Sequence, residues 1–266
     1  MSQIAIAAYL AQAIRHNVAK EDYIMDLKGK VVLVSGSSSG IGADCVHLLL
    51  ENEANVIGLD IEPNSINNEH YRHYTVDVRD EQKISMILDE IEKSYGEIYG
   101  LVNCAGIFAN SKPFYELSLE EWNNVISINL TGSFILAKHS AKKMMKNNSG
   151  KIVNISCIRS KIFRPNMADY AASKAGVVAL TSAMALDLAK YNIKVNSVAP
   201  GFTYTKMTSG AFDNPEIRAS SENIIPVGRI ANPIDIAKMV LFLLSDMADY
   251  INGETIFVDG GFSISK

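Results

Sequence analysis

Tyr170 and Lys174 stand four residues apart in Tyr170-Ala171-Ala172-Ser173-Lys174, and on a helix that spacing puts both side chains on one face. A phenol with a pKa near 10 is a poor base at neutral pH, and an ammonium beside it favours the phenolate. The pair therefore suits proton transfer to or from an oxygen. A second group suits a diphosphate. Ser35-Gly36-Ser37-Ser38-Ser39-Gly40-Ile41-Gly42 follows an apolar run and opens a helical pattern over residues 41–51. Gly36 can take a tight turn, and Gly40 and Gly42 admit close approach of phosphate and sheet. The first N–H groups of the helix then face negative charge. Eighteen residues after Gly42, Asp60 closes the run Val56-Ile57-Gly58-Leu59. A carboxylate there accepts bonds from both ribose hydroxyls of NAD and repels the 2′-phosphate of NADP. Neither Ser37 nor Ile61 offers a positive charge, so NAD is favoured over NADP. A plain strand-end turn residue is the other reading of Asp60.

The elements that must hold these groups alternate along the chain. Val31–Val34, Val56–Leu59, Tyr74–Val76, Leu101–Val102, Ile152–Ile155 and Val195–Val198 read as strands. Between them Ile84, Ile87, Leu88 and Ile91 form a helical stripe, and Ser118-Leu119-Glu120-Glu121 has capping-box spacing. Strands interleaved with helices imply right-handed crossovers and a parallel sheet covered on both faces, an α/β fold. No Pro-, Gly- or Ser-rich stretch divides residues 26–266, which read as one domain. Ahead of it, Ile6, Tyr9, Leu10, Ala13 and Ile14 mark an amphipathic helix within residues 1–25, either an added packing element or a tail. From Gly176 to Ala189 ten of fourteen residues are apolar, on every side of the helix. Such a helix is buried on both sides, which calls for a second subunit or cover by another helix of the same chain.

Composition removes several classes of function. Of 266 residues 48% are hydrophobic and 20% charged, and the net charge is −4, which gives no face for DNA or RNA. No uninterrupted apolar run approaches the length of a membrane span. Cys45, Cys104 and Cys157 contain no C-x-x-C pair, and His16, His47, His70, His73 and His139 are scattered, so no metal site is expected. A reduced, cytoplasmic setting follows from that cysteine usage.

From about Leu27 to Phe262 the sequence resembles the short-chain dehydrogenase/reductase family, in its 3-oxoacyl-carrier-protein-reductase-like branch. The motifs occur in the family's order: the glycine turn, Asn103-Cys104-Ala105-Gly106, Asn129, Tyr170 to Lys174, Pro200-Gly201 and Val258-Asp259-Gly260-Gly261. The resemblance implies a single Rossmann-type, doubly wound domain with a seven-stranded sheet ending in Glu254–Val258, and a homotetramer or homodimer. It implies that Asp77 and Val78 meet the adenine, and that Asn103, Ala105 and Gly106 lie under the adenosine ribose. Pro200, Gly201, Thr203 and Thr205 would clasp the carboxamide and diphosphate. With Ser35, Gly36, Ser39, Gly40, Ile41, Gly42 and Asp60 these form the expected cofactor site. Lys174 would also hold the nicotinamide ribose, and Asn129 a water linking Lys174 to solvent. The implied activity is interconversion of a small secondary alcohol and a ketone.

One position departs from the pattern. The family's hydroxyl donor stands thirteen residues before the tyrosine, where this chain has Cys157. A thiol donates more weakly than a hydroxyl. Ser156 points to the opposite face if the strand continues. Either the thiol, or Ser160 or Ser156 after a local shift, supports a slower reaction, or Cys157 is incidental to a working site. Alternatively the chain is a dinucleotide-binding regulator or scaffold with weakened catalysis. A lid is expected around 205–226, with Ile158–Phe163 and Phe108–Lys112 as the other walls. Arg159, Lys161 and Arg164 either receive a substrate carboxylate or phosphate or form a solvated cluster. The NAD preference points toward sugar, polyol, hydroxy-acid or cyclic-diol substrates.

Overall fold

A computed structural model of the chain describes residues 25–63 and 66–265. The amphipathic helix expected over Ile6–Ile14 lies outside the described residues. Short apolar runs and one mixed edge segment form seven strands: β1 (Val31–Ser35), β2 (Asn55–Asp60), β3 (Tyr71–Thr75), β4 (Ile98–Asn103), β5 (Gly150–Ile155), β6 (Ile193–Pro200) and β7 (Thr255–Val258). They pair in parallel in the order β3-β2-β1-β4-β5-β6-β7. Strand β3 begins three residues before the expected Tyr74. It is an edge strand with no fully buried residue, so an apolar run could not mark it.

Helices cover both faces. On one side α1 (Gly40–Glu51) and α8 (Pro233–Leu244) pack with Val32, Val34, Val102, Val153 and Val198. On the other, α2 (Glu81–Tyr95), α4 (Gly132–Asn147) and α5 (Ala168–Leu188) enclose Leu33, Ile57, Leu101, Ile152 and Val195. The expected stripe Ile84, Ile87, Leu88 and Ile91 is the buried face of α2. Between β4 and α4 runs α3 (Leu119–Ile126), opened by the capping box of Ser118 and Glu121. Two short helices, α6 (Ser209–Phe212) and α7 (Pro215–Asn223), occupy the segment expected to form the lid.

The chain leaves β1 toward β2 on one side, while β4 lies on its other side with Ser35 level with Asn103. This reversal opens a crevice at the carboxyl ends of β1 and β4, where doubly wound sheets bind ligands. Helix α5 buries Tyr170, Ser173, Lys174, Val177, Thr181 and Ala185. Its other side leaves Leu186 81% exposed. Among the described residues no helix of this chain covers that side. Extended to Tyr191, α5 is also long and apolar enough to cross a membrane, unlike the uninterrupted runs of the sequence. Its buried polar face, packed within the domain, marks it as a core helix.

Candidate functional site

Loops at the carboxyl ends of β1 to β6 line one cleft of about 780 Å³, within the range of ligand sites. At one end lies the glycine turn. Gly36 has φ +66°, and a β-carbon on it would lie 2.9 Å from the Ala105 backbone. A β-carbon on Gly42 would meet the Gly36 carbonyl oxygen at 2.0 Å. Turn, β4 loop and α1 are thus packed backbone against backbone. Ser39 precedes α1 without a side-chain capping bond, and no acidic residue occupies the first turn. The N–H groups there are left for an anion.

Gly36, Ser39, Gly40 and Ile41 line the cleft, whereas Ser35 and Gly42 lie beneath it. The Ser35 hydroxyl accepts from the N–H groups of Cys104 (3.0 Å) and Ala105 (3.2 Å), tying β1 to the β4 loop. Asn103 also lies beneath. It is 2% exposed, and its amide donates to Asn154 Oδ1 (2.8 Å) and the Ser133 carbonyl (3.2 Å). Ala105 and Gly106, without long side chains, form the surface above it.

Asp60 faces the cleft. Its Oδ2 accepts from Ser38 N–H (2.9 Å) and its Oδ1 from Glu62 N–H (3.0 Å), which leaves each oxygen a further lone pair. Glu62 lines the same end, an acid that pattern reading passed over because it follows the strand. Arg79 also lies there, folded onto Asp77 with Nη2 to Oδ2 at 2.6 Å. That guanidinium holds the Asp77 carboxyl below the usual carboxylate range. Val78 completes this end; Pro200, Gly201, Thr203 and Thr205 line the cleft from the β6 loop, with the Thr205 side chain against Gly40. Thr205 is held by its N–H donating to Thr208 Oγ1 (2.9 Å). An open helix N-terminus, a turn that excludes side chains and a ribose-level carboxylate together fit a dinucleotide.

At the other end stand Tyr170 and Cys157, with the thiol within hydrogen-bonding reach of the phenol. Burial pushes the Tyr170 pKa well above its ordinary value, and Cys157 acts in the same direction. The charge that pulls it down belongs to Arg159. Lys174 is 5% exposed and lies 5.8 Å from the centre of the Tyr170 ring, donating to the Ile155 carbonyl at 2.9 Å. Burial lowers its pKa. The sequence places this ammonium beside the phenol; the structure holds it by the end of β5.

Asn129 is fully buried in a one-turn π-helical segment, Ser127–Thr131, between α3 and α4. Its Oδ1 accepts from Ile107 N–H (2.8 Å), and its Nδ2 donates to the Ile107 carbonyl (3.0 Å) and Ser173 Oγ (3.1 Å). The side chain therefore clamps the β4 loop to α5. Neither serine near Cys157 takes its place, because Ser156 donates to the Lys174 carbonyl (3.0 Å) and Ser160 to the Cys157 carbonyl (2.7 Å).

Of the expected walls, Phe108, Ile158 and Arg159 line the cleft; Lys112 pairs with Glu121, and Phe163 is 67% exposed. Arg164 lines it too, whereas Lys161 lies over the Phe257 ring at 5.4 Å. Met167, Phe202, Phe212, Ile217 and Ser221 complete this end. Helices α6 and α7 thus contribute Ala211, Phe212, Ile217 and Ser221.

A family model described as enoyl-(acyl carrier protein) reductase matches residues 36–263. The chain is 36% identical to a 3-oxoacyl-[acyl-carrier-protein] reductase of Thermotoga maritima, over 90% of this chain and all of that one. It is also 36% identical to 3beta-hydroxysteroid dehydrogenase 1 of Eggerthella lenta, over 90% and 95% of the two chains. The crystal structure of a gluconate 5-dehydrogenase from Burkholderia cenocepacia, in complex with NADP and tartrate, superposes with a TM-score of 0.82. That protein is 31% identical, with 90% of this chain and 97% of that one covered.

Proposed function

The chain belongs to the short-chain dehydrogenase/reductase family, and from that premise we propose that it is an NAD-dependent enzyme interconverting a secondary alcohol and a ketone. The observation that carries this reading is one cleft lined by the glycine turn and Asp60 and also by Tyr170 and Lys174, with the phenol beside Cys157. Gly36, Ser39, Gly40 and Ile41 would hold the diphosphate and Asp60 the adenosine ribose. When bound, the nicotinamide supplies the acceptor or donor of hydride.

The chain's own residues do the rest. Tyr170 takes the proton of the alcohol, or returns it to the carbonyl oxygen. Cys157 orients that oxygen through its thiol. Lys174, fixed by the Ile155 carbonyl, carries positive charge toward the nicotinamide ribose and the proton path. Asn129 holds the β4 loop against α5, and so keeps Gly106 and Lys174 in register.

NAD is favoured because Asp60 and Glu62 place two carboxylates at the ribose, and because the nearby Arg79 is spent on Asp77. The gluconate 5-dehydrogenase with NADP bound sets the opposite precedent within the family. A reduced, cytoplasmic setting suits three free thiols. A dimer or tetramer would cover the open side of α5. Cys157 also supports a second reading, a dinucleotide-binding regulator in which weak donation has cost most of the turnover.

The deciding experiment measures kcat/KM with NAD and with NADP across a panel of secondary alcohols, for the protein and for Tyr170→Phe. Turnover favouring NAD and reduced at least ~100-fold by Tyr170→Phe is expected. Turnover indifferent to Tyr170→Phe would remove the mechanism. NAD binding without turnover would select the regulator.

A further inference from the structure

Two guanidinium groups enter the cleft beside Tyr170, and among the described residues neither pairs with a carboxylate. Arg159 follows Cys157 by two residues and is only 9% exposed. Of its donors, Nη1 is placed on the Ile162 carbonyl at 3.2 Å, and its Cζ lies 5.9 Å from the centre of the Phe202 ring. Arg164, exposed at the rim, donates through Nε to Met167 Sδ at 2.7 Å, a weak acceptor. Burial lowers the Arg159 pKa, and the like charge of Arg164 lowers it further.

The acids of the cleft cannot relieve them. Asp60, Glu62 and Asp77 stand at the adenosine end, and Arg79 occupies Asp77. Asp169, the nearest acid in sequence to Tyr170, is turned to Asn110 and to the Tyr170 N–H. Holding the buried Arg159 guanidinium without a counter-charge is costly, and an anion arriving from outside would relieve it. The dinucleotide's phosphates have their own seat at the glycine turn.

We propose that Arg159 and Arg164 receive an oxyanion of the substrate, a carboxylate or a phosphate, and so select short anionic alcohols or ketones; this rests on the alcohol–ketone reading above. The walls around them are apolar. Phe108 faces Tyr170 with ring centres 5.1 Å apart, and Phe202 packs edge-on against Phe262 and Phe212. A compact hydrocarbon body is therefore held between the charge and the reacting carbon. Because Arg159 lies next to the phenol, the anion and the carbinol are only a few bonds apart. A long acyl chain on a carrier would not put its charge there.

The test is calorimetric titration of the protein, with and without NADH, using benzoate, phenyl phosphate and benzamide, so that turnover plays no part. One of the two anions should bind at least ~10-fold more tightly than benzamide, the scale of a charge-assisted hydrogen bond. Arg159→Gln and Arg164→Gln should each remove most of that margin and leave benzamide unchanged, while Arg159→Lys keeps part of it. Arg164 is exposed, so its variant stays readable even if Arg159→Gln folds poorly. Preference for benzoate identifies an acid, and preference for phenyl phosphate a phosphomonoester. Equal binding of amide and anions, or selectivity that persists in both glutamine variants, overturns the proposal. Tyr170→Phe separates the two claims: turnover surviving it removes the acid–base role of Tyr170 alone, and lost selectivity with NADH still bound removes the anion seat alone.

Discussion

Cys157 puts a thiol beside the Tyr170 phenol, which resists ionisation there. Burial and the neighbouring thiol push the phenol's pKa up, against the single opposing pull of Arg159. Below that raised value the phenolate fraction grows about tenfold per pH unit. Alcohol oxidation, which needs the phenolate, should therefore climb with a slope near one from pH 6 to 9, whereas ketone reduction, which needs the phenol, stays flat. A pH–rate profile of kcat/KM in both directions checks this, and a plateau of oxidation below pH 7 would contradict it. Cys157→Ser supplies a stronger donor at the same place. Loss of one such donor typically costs ~100- to 1000-fold, so the substitution should raise kcat by roughly tenfold or more at unchanged NAD affinity. Tyr170, Lys174, Asp60 and the glycine turn could be singled out from local spacing along one element, and the fold brings them to one cleft. Glu62 and Arg79 were not. Their meaning arises only when the ends of β2 and β3 are brought side by side, which no single stretch of sequence records.

At the scale of elements, the turn between β1 and α1 is a close-packed joint. Gly42 lies directly over the Gly36 carbonyl oxygen, so Gly42→Ala must push α1 away from the turn. Overpacking of this kind costs about 1–3 kcal/mol, and here it also moves the N–H groups meant for phosphate. A lower melting temperature together with at least tenfold weaker NAD binding is expected, read by thermal unfolding and calorimetry; a stable variant with unchanged affinity would mean the joint yields elsewhere. The π-helical turn at Asn129 shows the limit of pattern reading. It adds a residue to the helical turn between α3 and α4, which changes the direction of Asn129 without altering the hydrophobic pattern around it. Strand β3 escaped for another reason, since an edge strand alternates Tyr71, Arg72, His73 and Tyr74 and has no apolar run. Asn103 was expected in the floor under the ribose, and its side chain lies beneath the cleft, turned inward to Asn154, because strand alternation fixes which way position 103 faces.

For the molecule as a whole, α5 joins the reacting centre to the outer surface. Its inner face carries Tyr170 and Lys174, while its outer face leaves Leu186 81% exposed, and Phe134 on α4 is 45% exposed. The lack of a polar face was visible in the sequence between Gly176 and Ala189; that among the described residues Leu186 stays uncovered was not, because cover depends on where the other helices come to rest. A second copy laid across α5 by a twofold axis would bury both sets of side chains at once. Burying a leucine is worth ~1.5–3 kcal/mol, and twofold symmetry counts each change twice, so Leu186→Asp should weaken association by at least ~100-fold. Light scattering or sedimentation should then show a smaller species at concentrations where the unaltered protein is dimeric or tetrameric. Since the same helix carries Tyr170, the dissociated form should also lose turnover while its secondary structure remains intact by circular dichroism. An unaltered protein that sediments as a monomer would remove the interface. A dissociated variant with full turnover would show that α5 holds Tyr170 and Lys174 in place without a neighbour, and that assembly serves some purpose other than the chemistry.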